Sequence, residues 1–213
     1  MFRFQNVMYK DIINIKSLTI PSHKIVCITG ESGGGKTTLL KLLNKMISPD
    51  SGEIFYLDVP LEELDSINLR RKVIMLPQNP AIYNGSIKDN LLIGLRFSEK
   101  TLENDDCLLT VLQSAWLSKS LDESVDNLSG GEKQRLALAR VLLLDPDVFL
   151  LDEPSASLDE ETERIIIENL VTQCKKNSKS IIMVTHSNKV ATTYSDMIIR
   201  IDKGRVVNKE GML

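Results

Sequence analysis

The chain has 213 residues, and its 42% hydrophobic content is enough for one large domain with a full core. Its 26 basic and 29 acidic residues give a net charge of -3, so no nucleic-acid partner held mainly by phosphate contacts is expected. Cys27, Cys107 and Cys174 are widely spaced and form no C-x-x-C pair, which predicts reduced thiols rather than a disulfide framework or a zinc site.

The amino-terminal residues contain no apolar stretch that resembles a secretory signal. No segment of the chain approaches the ~20 apolar residues that a membrane-spanning helix needs. We therefore expect a cytoplasmic protein. Any role at a membrane would then place it peripherally on the cytoplasmic face, attached through another protein.

Short apolar segments predict a layered α/β fold. Residues 12–20 contain two segments that read as short antiparallel strands. Ile25–Thr29 is an apolar run without polar alternation, and the same character recurs at Val73–Leu76, Val148–Leu151 and Ile181–Val184. Such runs are typical of parallel strands that helices cover on both faces. The sequence therefore predicts a parallel sheet with an N-terminal antiparallel β layer.

The chain changes character at residues 80–136, where helical periods and polar loops predict a helical insertion subdomain. Apolar segments on either side of Lys203-Gly204 predict a terminal hairpin. We assign the whole chain to one domain, with a core formed by residues 1–79 and 137–213.

Residues 30–37 fit the phosphate-loop pattern G-x-x-x-x-G-K-[ST], with a predicted strand before them and a predicted helix after them. That context disfavours the alternative, a glycine-rich turn with an incidental lysine. Backbone N–H groups and the start of the helix would bind phosphates, Lys36 would reach the β- and γ-phosphates, and the Thr37 hydroxyl would bind Mg²⁺. The predicted ATP contacts in this region are Gly30, Glu31, Ser32, Gly33, Gly34, Gly35, Lys36, Thr37 and Thr38.

Polar residues also follow three of the predicted parallel strands, at the edge where α/β sheets bind ligands. Asp152 and Glu153 come after an apolar strand, and adjacent strand residues point in opposite directions, so two roles are expected. Asp152 would orient Mg²⁺, and Glu153 would accept a proton from the attacking water. A solvated turn is the alternative for an isolated Asp-Glu pair. Gln78 is expected to touch Mg²⁺ or the water, and His186 the γ-phosphate, although a histidine in isolation is usually a surface or packing residue.

Residues 128–135 read Leu-Ser-Gly-Gly-Glu-Lys-Gln-Arg and precede the apolar helical stretch Leu136–Leu144. This segment resembles the signature sequence of ABC ATPases. The order of the motifs is also similar to that family over practically the whole chain. The resemblance implies a P-loop NTPase, RecA-like core and the hydrolysis of ATP.

The resemblance also implies roles for single residues. Tyr9 corresponds to the aromatic residue that stacks on adenine, although simple packing is the alternative. Gln78 corresponds to the Q-loop glutamine, Asp159 to the D-loop aspartate and His186 to the switch histidine. The chain departs from the family at residues 155–159, where Ser-Ala-Ser-Leu-Asp replaces Thr-Ser-Ala-Leu-Asp. It also has Glu132 where many members have glutamine.

In this family two cassettes close head-to-tail around two ATP molecules. Ser129, Gly130, Gly131 and Asp159 would then contact the nucleotide of the opposing subunit. That subunit would be a second copy or a close relative, and separately encoded transmembrane permease subunits would dock around Gln78–Leu95. A non-transport ABC ATPase, such as one for iron-sulfur assembly, is the alternative. A small-molecule kinase does not account for the signature segment.

We predict that Lys36→Ala abolishes tight MgATP binding and leaves the fold intact, because it removes a charge aimed at the phosphates. Nucleotide titration and circular dichroism measure the two effects. ATP hydrolysis by this variant at the parental rate would contradict the phosphate-loop assignment.

Overall fold

A computed structural model of the protein describes residues 1–101, 104–156 and 158–211. The strands are β1 Phe2–Tyr9, β2 Ile13–Ile20, β3 Ile25–Thr29, β4 Ser51–Tyr56, β5 Val59–Pro60, β6 Val73–Leu76, β7 Val148–Asp152, β8 Ser180–Val184, β9 Met197–Asp202 and β10 Arg205–Gly211. The helices are α1 Lys36–Leu43, α2 Ser66–Lys72, α3 Ile87–Phe97, α4 Asp106–Ser114, α5 Gly130–Leu144, α6 Glu160–Lys176 and α7 Asn188–Tyr194. Single 3₁₀ turns lie at Leu61–Glu63 and Val125–Asn127.

The larger sheet has the strand order β10-β9-β3-β8-β7-β6. Strands β9, β3, β8, β7 and β6 are parallel, and β10 joins β9 as an antiparallel hairpin. Every residue of β7 and β8 is buried, as expected for strands with both faces covered. The four predicted parallel strands and the terminal hairpin are confirmed.

The smaller sheet is antiparallel and has the order β2-β1-β4-β5. Where two short strands were expected in residues 12–20, the structure has the single strand β2. Lys16 and Ser17 do not interrupt it, because both side chains are exposed at the sheet surface. β1, which was not predicted from the sequence, buries Phe2 and Phe4 completely.

Helices α3, α4 and α5 pack around a hydrophobic cluster of their own, which includes Ile87, Leu108 and Leu136. Helix α5 has a second apolar side, and Ala137 and Leu138 on that side join the cluster beneath the larger sheet. The predicted boundary between residues 136 and 137 falls inside α5, so this helix is shared by both clusters. The assignment of 80–136 as a subdomain stays a prediction.

Two of the three thiols are deeply buried, and burial raises the pKa of Cys27 and of Cys174 to about 12. Both thiols are therefore protonated and unreactive at neutral pH. Among the helices in the described part of the chain, none is both long and apolar enough to cross a membrane.

Candidate functional site

The loop between β3 and α1 requires glycine at two positions. Gly35, directly before α1, has a φ of 98°, and a Cβ atom there would lie 3.0 Å from the Ile12 carbonyl oxygen. A Cβ atom at Gly30, whose φ is 139°, would collide with the carbonyl oxygen of Ile201. Both positions therefore need a residue that adopts positive φ and has no side chain.

Lys36 is the first residue of α1, and its side chain is buried inside the loop. Its Nζ donates hydrogen bonds to the carbonyl oxygens of Gly30 at 2.9 Å and Glu31 at 2.7 Å. The ammonium group thus lies within the ring of backbone that precedes the helix. The positive end of the helix dipole and this ammonium favour an anion at the same place.

The hairpin between β9 and β10 supports this loop from behind. The N–H of Gly204 donates to the carbonyl oxygen of Gly34 at 3.0 Å, and the N–H of Asn14 donates to the carbonyl oxygen of Gly204 at 2.9 Å. The sequence analysis predicted the hairpin but not this contact. The loop conformation therefore depends on residues about 170 positions later in the chain.

Asp152 ends β7 and lies against the start of α1. The Thr37 hydroxyl donates to its Oδ2 at 2.8 Å, whereas its buried Oδ1 has no hydrogen-bond partner in the described part of the chain. Burial raises the pKa of Asp152, and the hydrogen bond from Thr37 acts in the opposite direction. A hydroxyl oxygen beside an orphaned carboxylate oxygen suits a hard cation such as Mg²⁺. No group of three histidine, cysteine or acidic residues that could hold a metal ion occurs among the described residues, so phosphate and water oxygens would complete such a site.

The Glu153 carboxylate contacts one residue that follows β6 and one that follows β8. Gln78 Nε2 donates to its Oε2 at 2.9 Å, and His186 Nε2 lies 2.9 Å from its Oε1. The Glu153 side chain is 19% exposed and that of His186 is 51% exposed, so the cluster opens to solvent through the histidine. The structure thus brings together three residues that the sequence analysis selected separately.

Ser129 caps the N-terminus of α5. Its Oγ accepts from the N–H of Glu132 at 3.3 Å, and the Glu132 carboxylate accepts from the N–H of Ser129 at 2.8 Å. These bonds lower the pKa of Glu132, and Lys119 lies 3.5 Å from its carboxylate. Gly130 has no atom within 4 Å of its would-be Cβ, and it is exposed. Ser129 and Gly130 make no hydrogen bond to the phosphate loop among the residues described.

Asp159 caps α6 and is exposed. Its carboxylate accepts from the N–H groups of Glu161 and Thr162 and from the Thr162 hydroxyl, and the bonds from Thr162 lower its pKa. Ser157, which the sequence analysis included in the same loop, lies outside the described residues. The aspartate therefore has a capping role whatever else it contacts.

Tyr9 ends β1, where its half-buried ring packs against the hydrophobic cluster between the two sheets. The Lys10 ammonium lies 5.2 Å from the ring centroid. Tyr9 is followed by the turn that contains Ile12, and the carbonyl oxygen of Ile12 faces Gly35. The ring thus has a packing role, and the turn that it precedes reaches the phosphate loop.

Two side chains that hold the backbone near the site were not predicted from the sequence. Asn90 is fully buried; its Oδ1 accepts from the N–H of Tyr83 at 2.9 Å, and its Nδ2 donates to the Tyr83 carbonyl oxygen at 2.7 Å. Arg140 donates to the carbonyl oxygen of Ala81 at 2.8 Å and lies over the Tyr83 ring. Together they fix the segment that follows Gln78. A polar residue among the apolar positions of a helix is the signal that could have identified both.

Gln134 was missed as well. It lies in the second turn of α5, is only 6% exposed, and donates from Nε2 to the backbone carbonyl oxygen of Glu153 at 2.9 Å. Helix α5 is therefore bonded directly to the residue that follows β7.

Comparison with known proteins agrees with this geometry. The profile of the family described as "ABC transporter" matches residues 13–156. The transport/processing ATP-binding protein ComA of Streptococcus pneumoniae is 34% identical over 97% of this chain and 30% of its own length. Protein STAR1 of Oryza sativa subsp. japonica is 36% identical over 93% of this chain and 57% of its own length. The chain thus spans about a third of the length of the bacterial relative and somewhat more than half of the plant relative.

Two solved structures resemble this one along practically the whole chain. The ATP-binding cassette MJ0796, solved as a dimer in a post-hydrolysis state with ADP and Pi, has a TM-score of 0.89 and 27% identity, with 100% of this chain and 99% of that chain covered. A bacterial Atm1-family ABC exporter with ATP bound has the same TM-score and 26% identity, with 99% of this chain and 38% of that chain covered. The predicted P-loop NTPase fold is therefore confirmed.

The orphaned Oδ1 of Asp152 leads to a prediction about stability. A carboxyl group whose pKa is raised on folding destabilises the folded state at pH values above its unfolded pKa, and this cost reaches its full size above the raised pKa. We therefore predict that Asp152→Asn raises the melting temperature at pH 7 without nucleotide or Mg²⁺, by roughly 2–4 °C per ~1 kcal/mol relieved.

The advantage of the asparagine variant should shrink as the pH falls through the raised pKa of Asp152 towards the ~3.9 of a free aspartate. Asp11→Asn is the matched control, because Asp11 is exposed. Calorimetry at several pH values measures both variants. A lower melting temperature for Asp152→Asn at pH 7 would show that the buried charge is compensated.

Proposed function

The chain is an ATP-binding cassette that belongs to the ABC transporter family, a family of ATPases, and we propose that it is the motor of a membrane transporter. The observation that carries this proposal is the Glu153 carboxylate, which meets Gln78 and His186 beside the phosphate loop. A carboxylate at the end of a parallel strand is placed to act on a water molecule next to a bound γ-phosphate.

We assign nucleotide binding to the loop before α1, from Gly30 to Thr38. On ATP binding Lys36 exchanges the carbonyl oxygens of Gly30 and Glu31 for the β- and γ-phosphates, which are stronger partners for an ammonium group. Thr37, Asp152 and Gln78 would hold Mg²⁺, which would neutralise charge on the phosphates. Tyr9 offers its ring to the adenine.

We assign the hydrolytic step to Glu153 as general base. The carboxylate takes a proton from water, the water oxygen bonds to the γ-phosphorus, and the bond between that phosphorus and the bridging oxygen breaks to leave ADP. Gln78 and His186 each contact one carboxylate oxygen, and each oxygen keeps a second lone pair that can accept a hydrogen bond from water. Gln78 then orients the water, and His186 contacts the γ-phosphate.

We further propose a head-to-tail dimer, with a second copy or a close relative as the partner. Ser129, Gly130 and Gly131 lie at the start of α5, where Ser129 and Gly130 are exposed and the helix dipole favours an anion. The γ-phosphate of the opposing subunit is that anion, and Asp159 approaches the same site. The dimeric MJ0796 cassette structures support this arrangement.

We propose that membrane-spanning permease subunits dock on the segment Ala81–Tyr83, at the edge of a helical subdomain formed by residues 80–136, so that the chain lies on the cytoplasmic face of the membrane. Ala81 is exposed and Tyr83 is 41% exposed, whereas Ile82 packs against both neighbouring hydrophobic clusters. Ile82 therefore belongs to the internal packing. Asn90 and Arg140 hold the backbone of this segment, which lets it transmit force to Gln78.

The Glu153→Gln variant tests the assigned base. Glutamine keeps the size and hydrogen-bonding capacity of the side chain but cannot take the proton, and a positioned base contributes ~10²–10⁴-fold to rate. ATP turnover should fall by that factor while ATP binding persists. If the parent is active alone, turnover above about a tenth of the parental rate would contradict the assignment.

Blocked hydrolysis should also let the closed dimer accumulate. With ATP, light scattering of Glu153→Gln should report about twice the 23.9 kDa mass of the chain. A second change, Ser129→Arg, places a large side chain against the opposing phosphate and should restore the monomer. A dimer that persists in the double variant would exclude the signature helix from the interface.

The docking segment is tested by Ala81→Glu with Tyr83→Glu, because charges on an apolar contact prevent its burial. The double variant should lose its membrane partner on purification in mild detergent and retain ATP binding. Leu109→Glu is the control, since Leu109 is an exposed apolar residue on α4. Unchanged co-purification would remove this surface from consideration. Detection of the cassette only within a longer native chain would contradict permease subunits on separate chains.

A further inference from the structure

The backbone of Glu153 has a conformation that is uncommon for a residue with a side chain. Its φ is 51°, in the left-handed region. Its N–H donates to the carbonyl oxygen of Val184 at 3.1 Å, and its carbonyl oxygen accepts from the N–H of Ala156 at 3.3 Å. Such a conformation persists only where the surroundings fix it, so the groups that hold this peptide decide where the carboxylate lies.

Gln134 supplies the side-chain contact to that peptide. Its buried Nε2 donates to the Glu153 carbonyl oxygen at 2.9 Å, which is shorter than the bond from Ala156. A buried amide donor is costly to leave unpaired, so the bond resists any rotation of the peptide. The contact spans 19 positions in sequence and joins α5 to the end of β7.

We propose that Gln134 is a positioning residue that holds the Glu153 carboxylate in line for proton transfer and makes its alignment depend on the start of α5. The proposal rests on the function assigned above to Glu153 and to the signature helix. Gln134 bonds to the backbone carbonyl oxygen of Glu153 and not to its carboxylate. It acts through the peptide of Glu153, and a misplacement of about 1 Å at a reacting group can lower a rate by ~10²-fold.

Gln134 lies close to the start of α5, where the opposing phosphate would bind. Gly130 is the first residue of the helix, and four residues at 1.5 Å each put Gln134 only about 6 Å further along the axis. A helix moves as a rigid body over this distance. When an opposing phosphate draws in the start of α5, the Glu153 peptide must follow through Gln134. The base is thereby aligned most closely when the dimer is closed.

The test compares Gln134→Met with Gln113→Met, a matched change at an exposed glutamine of α4. Methionine has a similar length and good helix propensity but no N–H donor. We expect kcat for ATP to fall about 10-fold in Gln134→Met, with KM within twofold of the parent, and both constants to be unchanged in Gln113→Met. A kcat within twofold of the parent would overturn the proposal.

A second measurement separates positioning from a general structural role. In a Glu153→Gln background the base is absent, so adding Gln134→Met should lower the residual single-turnover rate less than twofold. ATP-induced dimerisation of this double variant, followed by light scattering, should persist. A further 10-fold loss of rate, or loss of the dimer, would show that Gln134 supports the fold rather than the base. If Gln134→Met does not fold, Gln134→Leu replaces it under the same criteria, and failure of both to fold counts against the proposal.

Comparison of Glu153→Gln with Gln134→Met distinguishes failure of the positioning role from failure of the assigned base. If Glu153→Gln keeps the parental turnover, the assignment of the base fails and Gln134 has nothing to position. If Glu153→Gln is inactive while Gln134→Met is fully active, the base stands and only the positioning role fails.

Discussion

The register of three parallel strands decides where the proposed chemistry takes place. Leu76 of β6 pairs with Leu151 of β7, so that Gln78 and Glu153, each two residues further on, reach the same level at the edge of the sheet. Asp152 pairs with Val184 of β8, which brings His186 to that edge as well. Because hydrogen bonds between buried strands fix this register, the side-chain cluster needs little ordering of its own. The phosphate loop follows β3, the neighbour of β8, and therefore opens at the same edge.

The Lys36 ammonium and the Glu153 carboxylate at this edge have partners within the protein. Lys36 is bonded to two loop carbonyl oxygens, and the Glu153 carboxylate is bonded at both oxygens. These bonds limit the free-energy cost of burying the groups. ATP binding would therefore exchange existing hydrogen bonds for new ones. Asp152 is the exception, because its Oδ1 has no partner in the described part of the chain. A cation bound together with the phosphates would give this oxygen a partner. The metal complex of ATP would therefore complete the site.

The sequence pattern predicted those features that depend on neighbouring residues. Apolar runs identified the parallel strands, and the phosphate-loop pattern identified the loop before Lys36. Features that depend on distant parts of the chain were not predictable. Strand β2 continues through Lys16 because it pairs with β1 on both sides of that residue, and Ile82 is internal because it packs against both clusters. Gln134 and Arg140 donate to backbone carbonyl oxygens. Every residue has such an oxygen, so the type of the acceptor residue does not predict these bonds.

Helix α5 connects the helical cluster with the cluster beneath the larger sheet. One side packs in the helical cluster through Leu136, the other packs beneath the sheet through Ala137, and Gln134 and Arg140 hold the peptides of Glu153 and Ala81. A helix packed on both sides cannot bend easily, because close-packed interiors transmit displacement rather than absorb it. A shift of its first turn would therefore move the proposed base and the proposed docking segment together. The opposing nucleotide and the membrane partner would then both act on helix α5. Each would affect the site of hydrolysis through this one helix.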